Sequence, residues 1–256
     1  MNATLAIYRR ELKSYFQSVT AYVTMGIFLA LSGYFFYSIF RYYNYISYQT
    51  ARNPYASQPL NLIDGVMRPL LGNISVILLL VLPLLTMKLL AEEKRQGTFE
   101  LLLTYPLKDI EVVMGKFLAS LTLFAVMLGF TLLYPILLAV FSNPEAGPII
   151  SGYLGLFLVG CTFISIGIFF SSLTSSQLVA GVATFGVSLF FLIIGWASPF
   201  VGPTLSKVLS QFSLLEHYDS FAKGVIDIQD ITYYLFISIF FIFLTLKSLE
   251  SSRWRS

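Results

Sequence analysis

The chain has 256 residues, of which 57% are hydrophobic and only 11% charged, and its formal net charge is +3. Soluble domains carry about 25% charged residues, so the composition excludes an ordinary soluble fold and places the chain in a bilayer. The small net charge gives no footing for a nucleic-acid partner, and the single cysteine, Cys161, excludes an internal disulfide and a cysteine-cluster metal site.

In residues 1–20, Leu5, Tyr8, Leu12, Tyr15, Phe16 and Val19 recur at helical spacing, while Arg9, Arg10, Glu11 and Lys13 fill much of the other face. This pattern predicts an amphipathic elbow helix with a basic edge, suited to the inner membrane interface. The apolar run 21–40 follows. It is longer than the apolar core of a signal peptide and ends in tyrosines without a small-residue cleavage site, so it reads as a retained first span. Five more runs, 70–87, 117–141, 149–173, 178–200 and 231–246, approach the roughly 20 residues a spanning helix needs.

Six spans put both termini on one side. With that side inside, the inner face holds Arg9, Arg10, Lys13, Lys88, Lys94, Arg95, Lys108, Lys116, Lys247, Arg253 and Arg255. The outer face holds Arg41, Arg52, Arg68, Lys207 and Lys223, so eleven of the 16 basic residues are inside, as the positive-inside rule requires. The segment 42–69 reads as a polar outer loop whose tyrosines form an interfacial belt. The segment 202–230 carries two helical stripes: Leu205, Val208, Leu209 and Phe212, then Leu214, Tyr218, Phe221, Ala222 and Val225. These predict short outer helices that dip into the leaflet or cap the bundle. Cys161 reads as helix packing, and Gly160, Gly167, Ser171, Gly181 and Gly186 permit close helix approach.

Several chemistries have no residues to support them. No span carries an ionisable side chain in its core. A charge at mid-bilayer costs at least about 2.5–3.5 kcal/mol and is kept where function needs it, so an ion-coupled carrier is disfavoured. A membrane enzyme is disfavoured equally, for want of a buried base, nucleophile or metal ligand. The one histidine, His217, lies beside Glu216 and Asp219 and reads as a solvated loop residue rather than a metal ligand. No phosphate-binding loop exists: Gly115-Lys116 is followed by Phe117, and Ile110 stands where the first glycine would fall.

The segment 88–116 is the only long charged stretch between two strongly apolar runs. Glu92, Glu93, Lys94 and Arg95 carry span two out of the membrane, and Gly97 is suited to end that helix. Thr98 is placed to cap a short transverse helix, 99–104, with Phe99, Leu102 and Leu103 on one face and Glu100 and Leu101 on the other. Pro106 suits the first turn of the helix that enters span three. A transverse helix joined to two spans makes a lever, though a charged loop packed on its own bundle would have the same local physics.

Charged residues, then Gly97-Thr98-Phe99-Glu100-Leu101-Leu102-Leu103, Pro106 and a helix carrying Gly115-Lys116 before an apolar span, resemble the permeases of ABC-2-type ABC transporters. The six spans and the leading elbow helix extend the likeness over the whole chain. The segment Phe221-Ala222-Lys223-Gly224-Val225-Ile226-Asp227 resembles the gliding-motility-associated branch. The resemblance implies an all-α polytopic permease in one transmembrane domain, multi-pass in the bacterial inner membrane, with both termini cytoplasmic. It implies an exporter that works as a dimer with a second permease copy or a paralogue. Separate ATPase subunits would bind ATP and magnesium, and this chain would hold no cofactor or metal. Thr98, Phe99, Glu100, Leu101, Leu102 and Leu103 would meet the ATPase, flanked by Glu92, Glu93 and Arg95. The alternative is a non-transporting scaffold or mechanotransmission subunit of an ABC complex.

Overall fold

The computed structural model describes residues 3–52, 61–98, 108–141 and 145–253. Helix α1 (Ala3–Gln17) leads into α2 (Val19–Arg52). A one-turn π-helix (Ile63–Met67) opens α3 (Arg68–Thr86), and α4 (Ala91–Arg95) follows a four-residue turn. Then come α5 (Asp109–Thr131), α6 (Leu133–Phe141), α7 (Ala146–Leu173) and α8 (Gln177–Ile193). A 3₁₀ stretch (Ile194–Phe200), α9 (Pro203–Phe212), α10 (Leu214–Ala222) and α11 (Ile228–Arg253) complete the order. The described residues contain no strand. Among the described residues, six stretches are long and apolar enough to cross a membrane: Val19–Arg52, Ile63–Arg95, Asp109–Val140, Ala146–Leu173, Gln177–Phe200 and Ile228–Ser251. The protein is an all-α polytopic membrane protein.

One boundary differs from the sequence reading. Residues 42–52 continue the first spanning helix instead of opening a loop. Between Arg41 and Arg52 there is neither glycine nor proline, and the next breaker is Pro54, so nothing local ends the helix. Arg52 lies 4.3 Å from the ring centroid of Tyr48, one turn back, a contact that supports the extension. At about 1.5 Å per residue the 34 residues of α2 reach about 51 Å, well beyond the roughly 30 Å hydrocarbon layer.

Helices α3 and α7 form the centre. The most apolar windows of their spans are 72% and 78% buried, against 17% for α2, so α2 presents most of its surface outward. Helix α7 packs on α11, α3, α8, α10 and α5. Several hydroxyls buried in this apolar interior bond to their own helices. Thr86 donates to the Leu82 carbonyl at 2.9 Å, Thr184 to Ala180 at 2.7 Å and Thr245 to Phe241 at 2.8 Å. Bonds of this kind let polar side chains sit inside a bundle without an unpaired donor.

At one end of the bundle, Arg68 at the start of α3 pairs with Asp219 of α10, and Lys223 pairs with the same carboxylate. Burial opposes ionisation of Asp219, but Lys223 and Arg68 outweigh it and hold the carboxyl below its usual range. Helix α10 ends in a double turn. The Val225 amide donates to the Ser220 carbonyl at 3.0 Å and the Gly224 amide to Phe221 at 3.1 Å, with Gly224 at φ 88°. These are the two bonds of a Schellman cap, which wants glycine at its left-handed position. The motif Phe221–Val225 noted in the sequence thus stops α10 and turns the chain toward α11.

Gly224→Ala should lower stability by about 1–2 kcal/mol from its backbone conformation, with added pressure from Pro148 Cγ, 3.0 Å from the new methyl carbon. Gly26→Ala in α2 meets open space and should be neutral or stabilising by up to about 1 kcal/mol. Thermal unfolding of the two variants in detergent micelles checks the contrast.

Candidate functional site

The end of the bundle opposite Arg68 carries a buried charge cluster centred on Lys116, which ends the second turn of α5 and is 1% exposed. Its ammonium donates to Glu93 Oε1 at 2.9 Å, Glu11 Oε1 at 3.1 Å and the Leu89 carbonyl at 2.7 Å. An ammonium has three protons, so all three are used. Arg10 Nη2 completes the arrangement, at 2.7 Å from the same Glu11 oxygen and 2.9 Å from the same Glu93 oxygen. Two cations and two anions alternate in a neutral quartet. Burial opposes ionisation of Glu11, but Lys116 and Arg10 outweigh it and hold the carboxyl below its usual range.

The four residues come from three elements. Arg10 and Glu11 lie on α1, Glu93 on α4 and Lys116 on α5. What brings α1 close is the residue before the lysine. A methyl on Gly115 would stand 2.8 Å from Ile7 Cγ2 and 3.2 Å from the Thr4 carbonyl oxygen, so only glycine lets the two backbones approach this far. Hydroxyls then fix the register. Tyr15 bonds Ser120 at 2.9 Å and donates to the Leu85 carbonyl at 3.4 Å, and Tyr8 bonds Thr122 at 3.2 Å. The Gly115-Lys116 pair therefore seats α1 and anchors it in adjacent positions.

A second set of bonds ties α4 to the other side of the bundle. The helix of span two breaks after Thr86, and a break exposes backbone groups. Ser171 of α7 fills it: its hydroxyl accepts from the amides of Leu90 (2.9 Å) and Ala91 (3.0 Å) and donates to the Met87 carbonyl (3.0 Å). The Lys94 ammonium donates to the Ser172 carbonyl, and the Gln177 amide to Glu92. Between α1, the 88–98 segment and α5 lies a polar cavity of about 440 Å³, lined by Arg10, Glu11, Lys88, Glu93, Thr98 and Lys116 among others.

The residues singled out in the sequence separate accordingly. Glu93 turns inward to the quartet. Glu92 bonds Arg95 at 2.7 Å as well as Gln177, and the Arg95 side chain is 64% exposed. The chain turns at Gly97, with φ 70°, and the Thr98 hydroxyl donates back to the Glu93 carbonyl at 3.3 Å. Arg95, Gln96, Gly97 and Thr98 are exposed. Phe99, Glu100, Leu101, Leu102 and Leu103, the expected helix 99–104 and Pro106 lie outside the described residues. Sequence reasoning missed Glu11 and Ser171 as parts of this site. Glu11 had a signal, being the only acidic residue before Asp64; Ser171 had none.

The expectation of a solvated His217 is corrected. The imidazole is buried, with Nδ1 2.6 Å from Asp230 Oδ1, Nε2 3.1 Å from the Gln211 carbonyl, and the ring stacked on Tyr233 at 3.9 Å. The histidine on α10 faces the start of α11, away from its sequence neighbour Asp219, whose carboxylate pairs with Arg68 and Lys223. Among the described residues no group of three or more His, Cys, Asp or Glu is placed to hold a metal ion.

Two comparisons bear on this arrangement. A family model described as ABC-2 family transporter protein matches residues 5–247. No curated protein matches the chain.

Lys116→Met should cost about 3–5 kcal/mol, because it strands two carboxylates in a buried site. Changing all three charges together, Glu11→Gln, Glu93→Gln and Lys116→Met, should recover most of the loss; denaturant unfolding of the two variants tests this. The pH response has a defined sign. The lowered Glu11 pKa stabilises the fold above the ordinary value of 4.5, and that stabilisation fades as pH falls below it through the lowered value. Stability from this group should be flat between about pH 5 and 8 and drop below, with the drop reduced in Glu11→Gln.

Proposed function

The chain belongs to the ABC-2 transporter family, and we propose that it is the permease subunit of an ATP-driven exporter. In this reading the pathway forms between this chain and a second permease copy or paralogue. Separate ABC ATPase subunits bind ATP and magnesium, and they act on the cytoplasmic segment 88–116. The protein sits in a bacterial inner membrane with both termini inside.

The observation that carries the reading is the bracing of α4. One side is held by the quartet to α1 and α5, and the other by Ser171, Ser172 and Gln177 to α7 and α8. A force on the exposed residues beyond Arg95 reaches both halves of the bundle through short polar bonds rather than through a loose loop. Thr98, Phe99, Glu100, Leu101, Leu102 and Leu103 supply the contact with the ATPase, and Arg95 flanks it from the surface. Glu93 works from inside, as the point where a push on the segment meets Lys116.

The placement of buried charge supports this energy source. A carrier driven by protons or sodium needs an ionisable group at membrane depth. Among the described residues, the quartet lies at one end of the bundle and His217–Asp230 at the other. Work delivered from outside the membrane suits this distribution.

Co-expressed with a cognate ABC ATPase subunit, the chain should form a stable complex that hydrolyses ATP, whereas the chain purified alone should show no ATPase activity. Glu100→Lys, Leu102→Asp and Leu103→Asp should each reduce co-purification and transport at matched expression, and Arg95→Glu should do so more weakly. If all four leave binding and transport intact, segment 88–116 is not the contact. In a Cys161→Ser background, cysteines at Gln96 and Ser251 should resist an impermeant thiol reagent in intact cells while one at Asp227 reacts. Reversed labelling, or substrate movement by an ion gradient without the ATPase, would remove the reading.

A further inference from the structure

The end of the bundle away from Lys116 holds a cavity of about 670 Å³ between the start of α3, the 3₁₀ stretch 194–200 and α10. Its volume is within the roughly 300–1,000 Å³ of small-molecule sites. The charged lining has two poles. Arg68 and Lys223 share the Asp219 carboxylate, one cation on each oxygen, so this pole keeps one positive charge in excess. The other pole is Glu216, three positions earlier on α10, which makes no ion pair among the described residues. Its carboxylate lies against the 3₁₀ stretch: a methyl on Gly195 would stand 2.8 Å from Glu216 Oε1. The next residue, Trp196, also lines the cavity and is 66% exposed. Side chains three positions apart on a helix are about 5–6 Å apart at Cβ. The cavity is therefore neutral in sum and polarised across about one helical turn.

Helix α10 by itself accounts for the type of two of these charges. An acid suits its first turn, where Glu216 lies, and a base suits its end, where Lys223 lies. The dipole does not account for the space between the poles, nor for the strip that leads away from it. Gly72 lines the cavity four residues after Arg68, and an added methyl there would meet open space. Val76, Leu80 and Leu84 continue the same four-residue ridge, at 46%, 53% and 47% exposure. They are the only exposed residues of α3 after Pro69. From Gly72 to Leu84 the ridge runs twelve residues, 84 less 72, or about 18 Å at about 1.5 Å each. That spans half of the roughly 30 Å hydrocarbon layer. The apolar run 70–87 begins two residues after Arg68, so the positive pole sits where this span leaves the hydrocarbon.

We propose that this cavity binds the head of a zwitterionic phospholipid of the phosphatidylethanolamine kind, with an acyl chain along Val76, Leu80 and Leu84. Arg68 gives one N–H to Asp219 and has four more, so it can hold the phosphate together with Lys223. The ammonium of the head then lies toward Glu216 and the Trp196 indole, which attract a cation by charge and by ring quadrupole. A neutral, polarised cavity matches a neutral, polarised head. An anionic head such as phosphatidylglycerol can use the positive pole only and leaves Glu216 without a partner.

The chain has two tryptophans, Trp196 and Trp254, so in the full chain carrying Trp254→Phe the indole emission reports on the cavity. Titrating this protein in detergent with short-chain phosphatidylethanolamine should change the emission saturably. The midpoint should come at about tenfold lower concentration than with phosphatidylglycerol of the same chains. Glu216→Gln should weaken phosphatidylethanolamine about tenfold and leave phosphatidylglycerol unchanged, which also shows that the variant is folded. Lys223→Gln should weaken both lipids. Lys207→Gln, exposed on α9 and outside the lining, should change neither. The proposal fails if the two lipids titrate alike, or if Glu216→Gln weakens both equally, as a purely structural carboxylate would. Saturation by soluble phosphoethanolamine at the concentration of the lipid overturns the lipid source. So does a disulfide between cysteines placed at Leu80 of two chains, in the Cys161→Ser background, if lipid then leaves the emission unchanged, since a second copy would cover the ridge. None of these readouts needs the ATPase, so they stand or fall apart from the exporter assignment.

Discussion

Burying one ammonium group governs how one end of this protein is built. Lys116 is removed from solvent at the start of a spanning helix, where an unpaired charge would be untenable. It is tolerated because two carboxylates and a carbonyl take its three protons, and because Arg10 balances the second anion. That requirement fixes the path of everything around it. Helix α1 must lie against α5 for Glu11 to reach, Gly115 must have no side chain, and the helix of span two must break so that the Leu89 carbonyl and Glu93 both turn toward α5. The break in turn leaves amides that Ser171 has to satisfy. Such a pair is weak evidence of stability, since its desolvation cost is large; what it provides is a single register for three elements.

Much of the fold is legible in the sequence because membrane helices are specified by composition. Runs such as 149–173 and 178–200 announce themselves through the absence of charge, and the structure has α7 and α8 there. Boundaries are less legible. Hydropathy ends the first span at 40, yet the helix runs to Arg52 because polar tyrosine-rich sequence is no obstacle to a helix that lacks glycine and proline. Hydropathy reports where a helix meets water, not where it stops.

The site is legible only in part, for a different reason. The segment 88–98 stands out by charge, and Gly97 by its suitability for a left-handed turn. The partners of Lys116 cannot be read, because Glu11 is 105 residues away in sequence and periodicity carries no information over that distance. A count of basic residues by side therefore takes Lys116 for a solvated inner charge and Glu93 for a surface contact. His217 shows the same limit: its sequence neighbours Glu216 and Asp219 suggest a solvated cluster, while Asp230, thirteen positions on, is the residue it meets. In each case charge type is readable and pairing is not.

The order of the quartet along the chain has a consequence for biosynthesis. Arg10, Glu11 and Glu93 all precede Lys116, so they are made first as the chain emerges from its N-terminus. Arg10 and Glu11 are neighbours within ion-pair distance, so Glu11 has a partner before Lys116 is made. When the third span is made, both counter-ions of its leading lysine are already in the chain. Insertion of that span and docking of the N-terminal helix then become a single event, and a nascent chain that has lost Glu11 would present the membrane with a span whose lysine lacks one of its two anions.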